Sequence, residues 1–416
     1  MNLKDFNAAI DHYHNFTIRR IVERLRDGLF DPLGVTLLTA NQEQLNQAFN
    51  VGVVKLEQNQ APGLCLRGAY GQGKSHNLTY LRQLAQNLGF VTSQINLDPR
   101  ELPFHDFRLV YRALIEQIRF PNNELNLVQW WCKITSELDS NDKYHCQRVL
   151  DLIPLAMPHY FRSVLTAIAL KNIPLTPRQL KLKKYATFCP REFPWLLGNA
   201  LQGNLVPTVR LRHALKYRQV PFYKDHSLVR KGWEPYLQTI YALAELFQNL
   251  GFKGWVILFD EGESLIQRSI TTRPKSYAIL DRLLTPDNYP NGLYPIFAFT
   301  DAFFMQIQNE DYERLVNRRG IETPYFSKNY GQIWQNIRTH SLNELSLSAW
   351  QEIATKLTIL HARAYNWHPT TESTRTELTK TLQASHTQEA RLRIKALINQ
   401  LDLSQQQSRN DHSCRE

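Results

Sequence analysis

The sequence predicts an α/β fold in which helices cover both faces of a parallel five-stranded sheet. Strand-like and helix-like segments alternate along the chain, and this alternation is typical of parallel sheets. The strand-like segments are also almost wholly apolar, which is expected where a sheet is buried on both faces. They lie at residues 64–66, 91–97, 255–259 and 293–299, with a weaker fifth segment at residues 337–342.

Helical periodicity accounts for most of the chain around these strands. Helices are predicted where apolar residues recur at three- and four-residue spacing, and Gly28, Gly89 and Gly251 mark the ends of three of them. The predicted helices lie at residues 19–28, 41–57, 77–88, 107–118, 235–250, 349–365, 372–383 and 389–401.

The order of these segments predicts how the chain is divided. Residues 1–60 form an N-terminal helical segment, residues 61–120 and 235–345 form the α/β core, and residues 346–403 form a C-terminal helical lid. Residues 404–416 are polar and are predicted to form a flexible tail. Residues 121–234 interrupt the core, and because they are irregular, basic and rich in proline we expect a mostly helical insertion there.

The positive charge of the chain is concentrated in this insertion. The formal net charge is +11, and residues 171–234 contain thirteen basic and three acidic residues, a balance of +10. Basic side chains such as Lys183 and Arg210 alternate there with aromatic ones such as Tyr185 and Trp195, a pattern that favours contact with the phosphate backbone of DNA. A solvated surface and a docking face for an acidic partner protein remain open alternatives.

Several classes of protein are excluded by composition. No apolar stretch approaches the roughly 18 residues that a membrane span needs, and the N-terminus shows no secretory signal, so we expect a cytoplasmic protein without a membrane partner. The five cysteines are too scattered for a zinc ribbon and too few for a disulfide scaffold in a chain of 416 residues.

A glycine-rich motif between the first predicted strand and the following helix points to phosphate binding. It fits G-x-x-x-x-G-K-[ST] without a mismatch, and backbone N–H groups in such a loop cradle phosphate oxygens at the start of a helix. Lys74 would reach the β and γ phosphates of ATP, and the Ser75 hydroxyl would bind Mg²⁺. The predicted nucleotide-binding residues here are Gly68, Ala69, Tyr70, Gly71, Gln72, Gly73, Lys74, Ser75 and His76.

Two carboxylates follow the third predicted strand. Asp260 is placed to hold Mg²⁺, and Glu261 is placed to act as the general base that activates a water molecule for attack on the γ phosphate. A pair of exposed acids at a strand end is the alternative for this pair. Glu263 is either a supporting acid or a charge at a helix N-terminus.

Further residues are assigned by position alone. Thr300 ends the fourth strand and would orient the attacking water, although a helix-capping threonine is equally consistent with it. Arg318 and Arg319, with Arg314 before them, precede the fifth strand, where an arginine finger or a solvated basic face is expected. Arg391 opens the last predicted helix and would close over the γ phosphate.

These features together resemble an AAA+-type ATPase, and more closely the ATP-binding proteins of the BREX phage-defence systems, the BrxC/BrxD family, in particular its shorter BrxD-like members. The segments that carry the resemblance are residues 20–28, 71–76, 254–263, 390–393 and 401–403. The resemblance implies an AAA+/ASCE-like P-loop NTPase fold and a subunit that works with a DNA methyltransferase complex and other defence proteins. Residues 121–230 lie outside it, so DNA contact through residues 171–234 rests on charge alone.

Two hypotheses of function follow. The first is an ATPase that hydrolyses ATP, forms a homo-oligomer and couples its cycle to a DNA-bound defence complex. The second is an ATP-gated switch or scaffold that turns over slowly and regulates the assembly of partners. A small-molecule kinase is the weakest alternative, because the sequence shows no lid for an acceptor.

Overall fold

The computed structural model describes most of the chain: residues 3–29, 31–40, 42–138, 144–170, 192–286, 291–311, 326, 328–369, 371–384 and 389–413. Arg314, Arg318 and Arg319 lie outside the described residues, as does the basic stretch 171–191 that contains Lys183 and Tyr185.

The core of the molecule is one sheet of five parallel strands. The strands follow the order β2-β3-β4-β1-β5, and every pair of neighbours runs parallel. This confirms the predicted parallel five-stranded sheet, and the bounds of each strand agree with the prediction to within two residues. The strands are β1 Leu64–Arg67, β2 Val91–Asn96, β3 Trp255–Asp260, β4 Leu293–Phe299 and β5 Thr339–Ser341.

Helices make up most of the rest of the described chain. Before the sheet begins lie α1 Leu3–Asp11, α2 Asn15–Arg26, α3 Pro32–Leu38 and α4 Gln42–Glu57. Between β1 and β3 lie α5 Lys74–Asn87, α6 Phe107–Glu116, α7 Leu127–Ser136, α8 His145–Leu152, α9 His159–Ala169, α10 Phe193–Leu201, α11 Thr208–Tyr217 and α12 Glu234–Asn249. After β3 come α13 Arg273–Leu284, α14 Asp301–Met305, α15 Tyr330–Ile333, α16 Leu347–Tyr365, α17 Thr371–Ala384 and α18 Ala390–Ser413.

Both faces of the sheet are buried, as the apolar strands predict. Successive residues of a strand point to opposite faces. Leu258 belongs to the buried cluster that includes residues of α4 and α5, while Ile257 and Phe259 belong to the larger core on the other side. Helix α4 approaches β4 closely because residue 52 is glycine, and a Cβ there would overlap the hydroxyl of Tyr294.

The helices of the insertion extend the larger core. Residues of α7, α9, α10 and α11 belong to the same buried cluster as α6 and α12, which cover the second face of the sheet. Fixed polar contacts support this packing: Trp131 donates to the Leu165 carbonyl at 2.9 Å, and Arg230 stacks over the ring of Tyr160 at 4.1 Å. The described helices of the insertion therefore share one core with α6 and α12.

The N-terminal helices α1 to α3 share one hydrophobic core with the C-terminal helices α16 to α18. We call this group the helical body. The sequence predicted an N-terminal segment and a separate lid, whereas the structure joins α1 to α3 with the C-terminal helices and places α4 on the sheet.

The last helix is longer than expected. It continues to Ser413, although residues 404–416 were predicted to be a flexible tail. Ser404 and Gln405 are buried, and Gln400 and Ser404 both donate to the carboxylate of Glu377 on α17. Packing against α17 therefore orders polar residues that periodicity alone does not mark as helical.

No helix in the described part of the chain combines the length and the apolar character needed to cross a membrane.

Candidate functional site

The glycine-rich loop joins β1 to α5 and has the backbone that its sequence predicts. Gly71 and Gly73 have φ angles of +80° and +85°, in the left-handed region that glycine adopts without strain. Gly68 N–H donates to the Phe299 carbonyl at 3.2 Å, which fixes the start of the loop to β4. Helix α5 begins at Lys74, so the N–H groups of its first turn face the loop.

Lys74 is folded back onto the loop. Its buried ammonium group donates to the carbonyls of Gly68 and Ala69, both at 3.2 Å, and lies 3.9 Å from Oε1 of Glu263. The positive charge of Lys74 is thus satisfied by the carbonyls of the loop and by one carboxylate.

Three acids follow β3, and each has a different environment. Asp260 is buried, and its Oδ1 accepts the N–H of Glu261 at 2.9 Å. Glu261 is exposed and has a left-handed backbone with φ of +53°, an uncommon conformation for a residue other than glycine. Glu263 lies in the next turn, where burial raises the pKa of its carboxyl group and its Oε2 has no hydrogen-bond partner among the described residues.

A close contact behind these acids fixes the turn. Gly262 lies directly against β4, and a Cβ at this position would be 2.5 Å from the ring of Phe299 and 2.7 Å from the Ala298 carbonyl. Only glycine fits there without displacing β4, so the glycine of the Asp-Glu-Gly-Glu segment holds the acids at the edge of the sheet.

A cavity of about 340 Å³ brings the loop and the acids together. Asp260 and Glu261 line it, and so do Tyr70 to Asn77 of the loop and the first turn of α5. The other walls come from the helical body, from α4 and from the segment after β5. These walls include Leu25, Gly28, Val35, Leu38, Thr39, Leu345, Ile353, Glu389, Arg391 and Ile394.

The start of α18 lies directly on the glycine-rich loop. Ala390 N–H donates to the Gly71 carbonyl at 3.3 Å, and a Cβ at Gly71 would lie 2.8 Å from Cγ of Glu389. Arg391 packs along Gly28 at the end of α2, where a Cβ would lie 3.1 Å from its Cδ. The predicted lid residue is therefore at the mouth of the cavity.

His76 connects the loop helix to the N-terminal wall. Its Nε2 is 2.7 Å from Oγ1 of Thr39, and that hydroxyl donates its own proton to the Val35 carbonyl at 2.6 Å. His76 is consequently the donor, with its proton on Nε2. The surrounding protein desolvates the ring and lowers the pKa of His76 to about 4, so the side chain is neutral at physiological pH.

A polar network joins the two halves of the helical body. Arg26 donates to both carboxylate oxygens of Asp402, at 2.8 and 3.2 Å, and also pairs with Glu23. His361 is buried, accepts the Trp367 indole proton on Nδ1 at 2.9 Å and lies 2.9 Å from Asp402 on Nε2. Residues 20–28 and 401–403, which were singled out separately in the sequence, therefore meet in space.

The structure gathers most of the predicted site residues but not all of them. Residues 70–76, Asp260, Glu261 and Arg391 line one cavity, and the carbonyls of Gly68 and Ala69 contact Lys74. Thr300 follows β4, which lies beside β3 as expected, but it is half-buried and is not among the residues that line the cavity. Arg318 and Arg319 fall outside the described residues.

Sequence reasoning missed the walls that the helical body contributes. Leu25, Val35, Leu38 and Thr39 carry no motif of chemical significance, and their place in the cavity depends on contacts between distant parts of the chain. One signal was available: residues 20–28 carry part of the family resemblance although they lie outside the glycine-rich and acidic motifs.

Within the described residues, no group of three or more His, Cys, Asp or Glu side chains is arranged to hold a metal ion.

Comparison with known proteins agrees with this site. The family model described as the BREX system ATP-binding protein BrxC/D matches residues 15–148 and 230–414, which is most of the chain. The unmatched residues are 1–14, which contain α1, 149–229 within the insertion, and 415–416. The glycine-rich loop, the acids after β3 and the helical body from α2 onward are all matched. No curated protein and no solved structure matches the chain. Because the family model matches most of the chain, including the segments that line the cavity, the chain belongs to the BrxC/D family of BREX system ATP-binding proteins.

Proposed function

We propose that this protein binds ATP with Mg²⁺ in the 340 Å³ cavity and hydrolyses it, as an AAA+-type P-loop ATPase. The observation that supports this most directly is the shared cavity: Lys74 and Ser75 of the loop face the same space as Asp260 and Glu261. A loop that cradles phosphates and an acid pair that serves Mg²⁺ and water are the parts that phosphoryl transfer to water requires.

The shape of the cavity supports a nucleotide rather than a phosphate ion alone. The glycine-rich loop forms its phosphate end, and the lining also includes apolar side chains, among them Leu25, Val35, Leu38 and Ile353. Ligand sites are commonly apolar with a few placed polar groups, so we assign these apolar side chains to the adenine base.

The residues present suit Mg²⁺. Magnesium takes hard oxygen ligands and is usually held by one or two protein groups together with phosphate oxygens and water. The Ser75 hydroxyl and the buried carboxylate of Asp260 both face the cavity and would supply these protein ligands. When bound, the ion would neutralise charge on the phosphates.

We assign the remaining roles as follows. Glu261, exposed to the cavity, is the general base for the attacking water. Arg391 closes over the γ phosphate from the helical body. Thr300 orients the water if nucleotide binding draws the end of β4 toward the cavity, and Arg318 or Arg319 reaches the site of a neighbouring subunit in a homo-oligomer.

The work that hydrolysis drives is inferred from the family. We propose that the chain acts in a BREX-like defence system in the cytoplasm, where it couples ATP turnover to a protein complex on DNA that contains a methyltransferase. On α11, Arg210, Arg212 and Lys216 are exposed and give the insertion a basic surface suited to a phosphate backbone. This supports DNA contact through residues 171–234.

ATP turnover tests this function. We expect the wild-type chain to hydrolyse ATP in the presence of Mg²⁺, and we expect Glu261→Gln to bind ATP normally but to lose at least about 100-fold in turnover, within the range that a general base contributes. Unchanged turnover in Glu261→Gln would refute the base assignment.

Addition of DNA at low salt tests the proposed contact of residues 171–234 with DNA. Stimulation of turnover that decreases with salt supports contact through the insertion. Tight ATP binding with negligible turnover, with or without DNA, would favour the switch or scaffold instead.

A further inference from the structure

Glu263 occupies a position that the roles above do not explain. It lies in the turn after β3, two residues beyond Glu261, and its side chain is only 17% exposed. It is not among the residues that line the cavity, so it does not face a bound nucleotide directly. Its Oε1 is 3.9 Å from the ammonium group of Lys74, which does line the cavity.

Buried carboxylates normally have partners for both oxygens, because an unsatisfied oxygen loses its hydration without compensation. Oε2 of Glu263 is buried and has no hydrogen-bond partner among the described residues. Lys74 is thus the cation that compensates this carboxylate. The opposite charges of the two groups stabilise each other.

We propose that Glu263 is a positioning residue that holds the Lys74 ammonium group back from the phosphates and thereby sets the affinity for ATP. The inference rests on the proposed nucleotide site. When a triphosphate enters, Lys74 must exchange the carbonyls of Gly68 and Ala69 for phosphate oxygens, and the attraction of Glu263 opposes that movement. The negative charge of Glu263, close to Lys74, also repels the phosphates.

The position of Glu261 separates its role from that of Glu263. Glu261 lines the cavity and is exposed, whereas Glu263 is mostly buried, lies beside Lys74 and does not line the cavity. Removal of the Glu261 carboxylate should therefore affect turnover, and removal of the Glu263 charge should affect phosphate affinity.

The test compares the affinities for ATP and for adenosine, which has no phosphates to contact Lys74. We expect Glu263→Gln to bind ATP roughly threefold to tenfold more tightly than the wild type, as loss of one restraining ion pair implies, and to bind adenosine with unchanged affinity. Titration of the full-length protein with a fluorescent ATP analogue, in competition with ATP or adenosine, measures both.

A matched control is the Glu352–Lys356 pair on α16, a second glutamate beside a buried lysine, at 2.6 Å and outside the cavity lining. Glu352→Gln should leave both affinities unchanged. Weaker or unchanged ATP binding in Glu263→Gln, or an equal change for adenosine, would overturn the proposal. The proposed nucleotide site is tested separately, by ATP binding to the wild type and to Lys74→Ala. If only the wild type binds ATP, the nucleotide site is supported even when Glu263→Gln contradicts the role of Glu263.

Discussion

Substitution of Gly71 by alanine tests whether the loop conformation is required for nucleotide binding. Gly71 has φ of +80°, and an L-residue held in the left-handed region costs about 1–2 kcal/mol. The new Cβ would also lie 2.8 Å from Cγ of Glu389. Because that atom belongs to a flexible side chain it can move, so we assign most of the cost to the backbone.

This cost should appear as lost affinity for ATP. If Gly71→Ala lets the loop relax from this conformation, ATP binding must restore it, and a cost of about 1–2 kcal/mol corresponds to a roughly fivefold to thirtyfold weaker ATP affinity. Calorimetric titration with ATP and Mg²⁺ measures it directly. Thermal unfolding of the same samples shows whether part of the cost is borne by the folded protein without a ligand.

Gly198 provides the matched control. It lies within α10, and a Cβ there would meet only Cγ2 of Val128, at 4.0 Å. Gly198→Ala should therefore stabilise the protein by about 0.5–1 kcal/mol through helix propensity and leave ATP affinity unchanged. Wild-type affinity and wild-type stability in Gly71→Ala would refute the assignment of strain to this loop.

Two further predictions concern stability. Asp402→Asn should destabilise the helical body by about 1 kcal/mol, because it weakens the pairing of Arg26 and the contact with His361 in groups that are partly exposed; urea unfolding measures this. The His76 pKa is about 4 in the folded chain and 6.5 in the unfolded chain, so the unfolded chain takes up a proton that the folded chain does not between these values. Stability should therefore fall as the pH is lowered from about 6.5 toward 4, by about 1–2 kcal/mol at pH 5 from this group, and His76→Gln should reduce that loss.

Each of these has a control. For Asp402→Asn the control is Asp11, which is 73% exposed and pairs with Arg363. Asp11→Asn should lower the free energy of unfolding by less than about 0.5 kcal/mol. An equal effect of the two substitutions would contradict the role of the network at Asp402. An unchanged pH dependence of unfolding in His76→Gln would show that other groups account for acid sensitivity.

The parts of the fold that were predicted well depend on local signals. The apolar runs of β3 and β4 reflect burial on both faces, which neighbouring residues determine. The glycine-rich loop was also predicted well. Gly71 and Gly73 have positive φ, which glycine adopts without strain, so the residue types themselves indicate the loop.

The parts that were not predicted depend on contacts between distant residues. Arg26 and Asp402 are 376 positions apart, so no periodicity or spacing shows that α2 and α18 form one body. The order of Ser404 and Gln405 likewise depends on the carboxylate of Glu377 on a different helix. The sequence also does not show which of Asp260, Glu261 and Glu263 pairs with Lys74, because this depends on side-chain geometry.

Equilibrium ATP binding by the wild-type protein and by Lys74→Ala, measured with Mg²⁺ present, tests the nucleotide site most directly. We expect one ATP bound per wild-type chain and binding too weak to detect in Lys74→Ala, because the only cation that faces the phosphate end from the loop is removed. Binding of ATP by Lys74→Ala with the stoichiometry and affinity of the wild type would show that the nucleotide binds elsewhere.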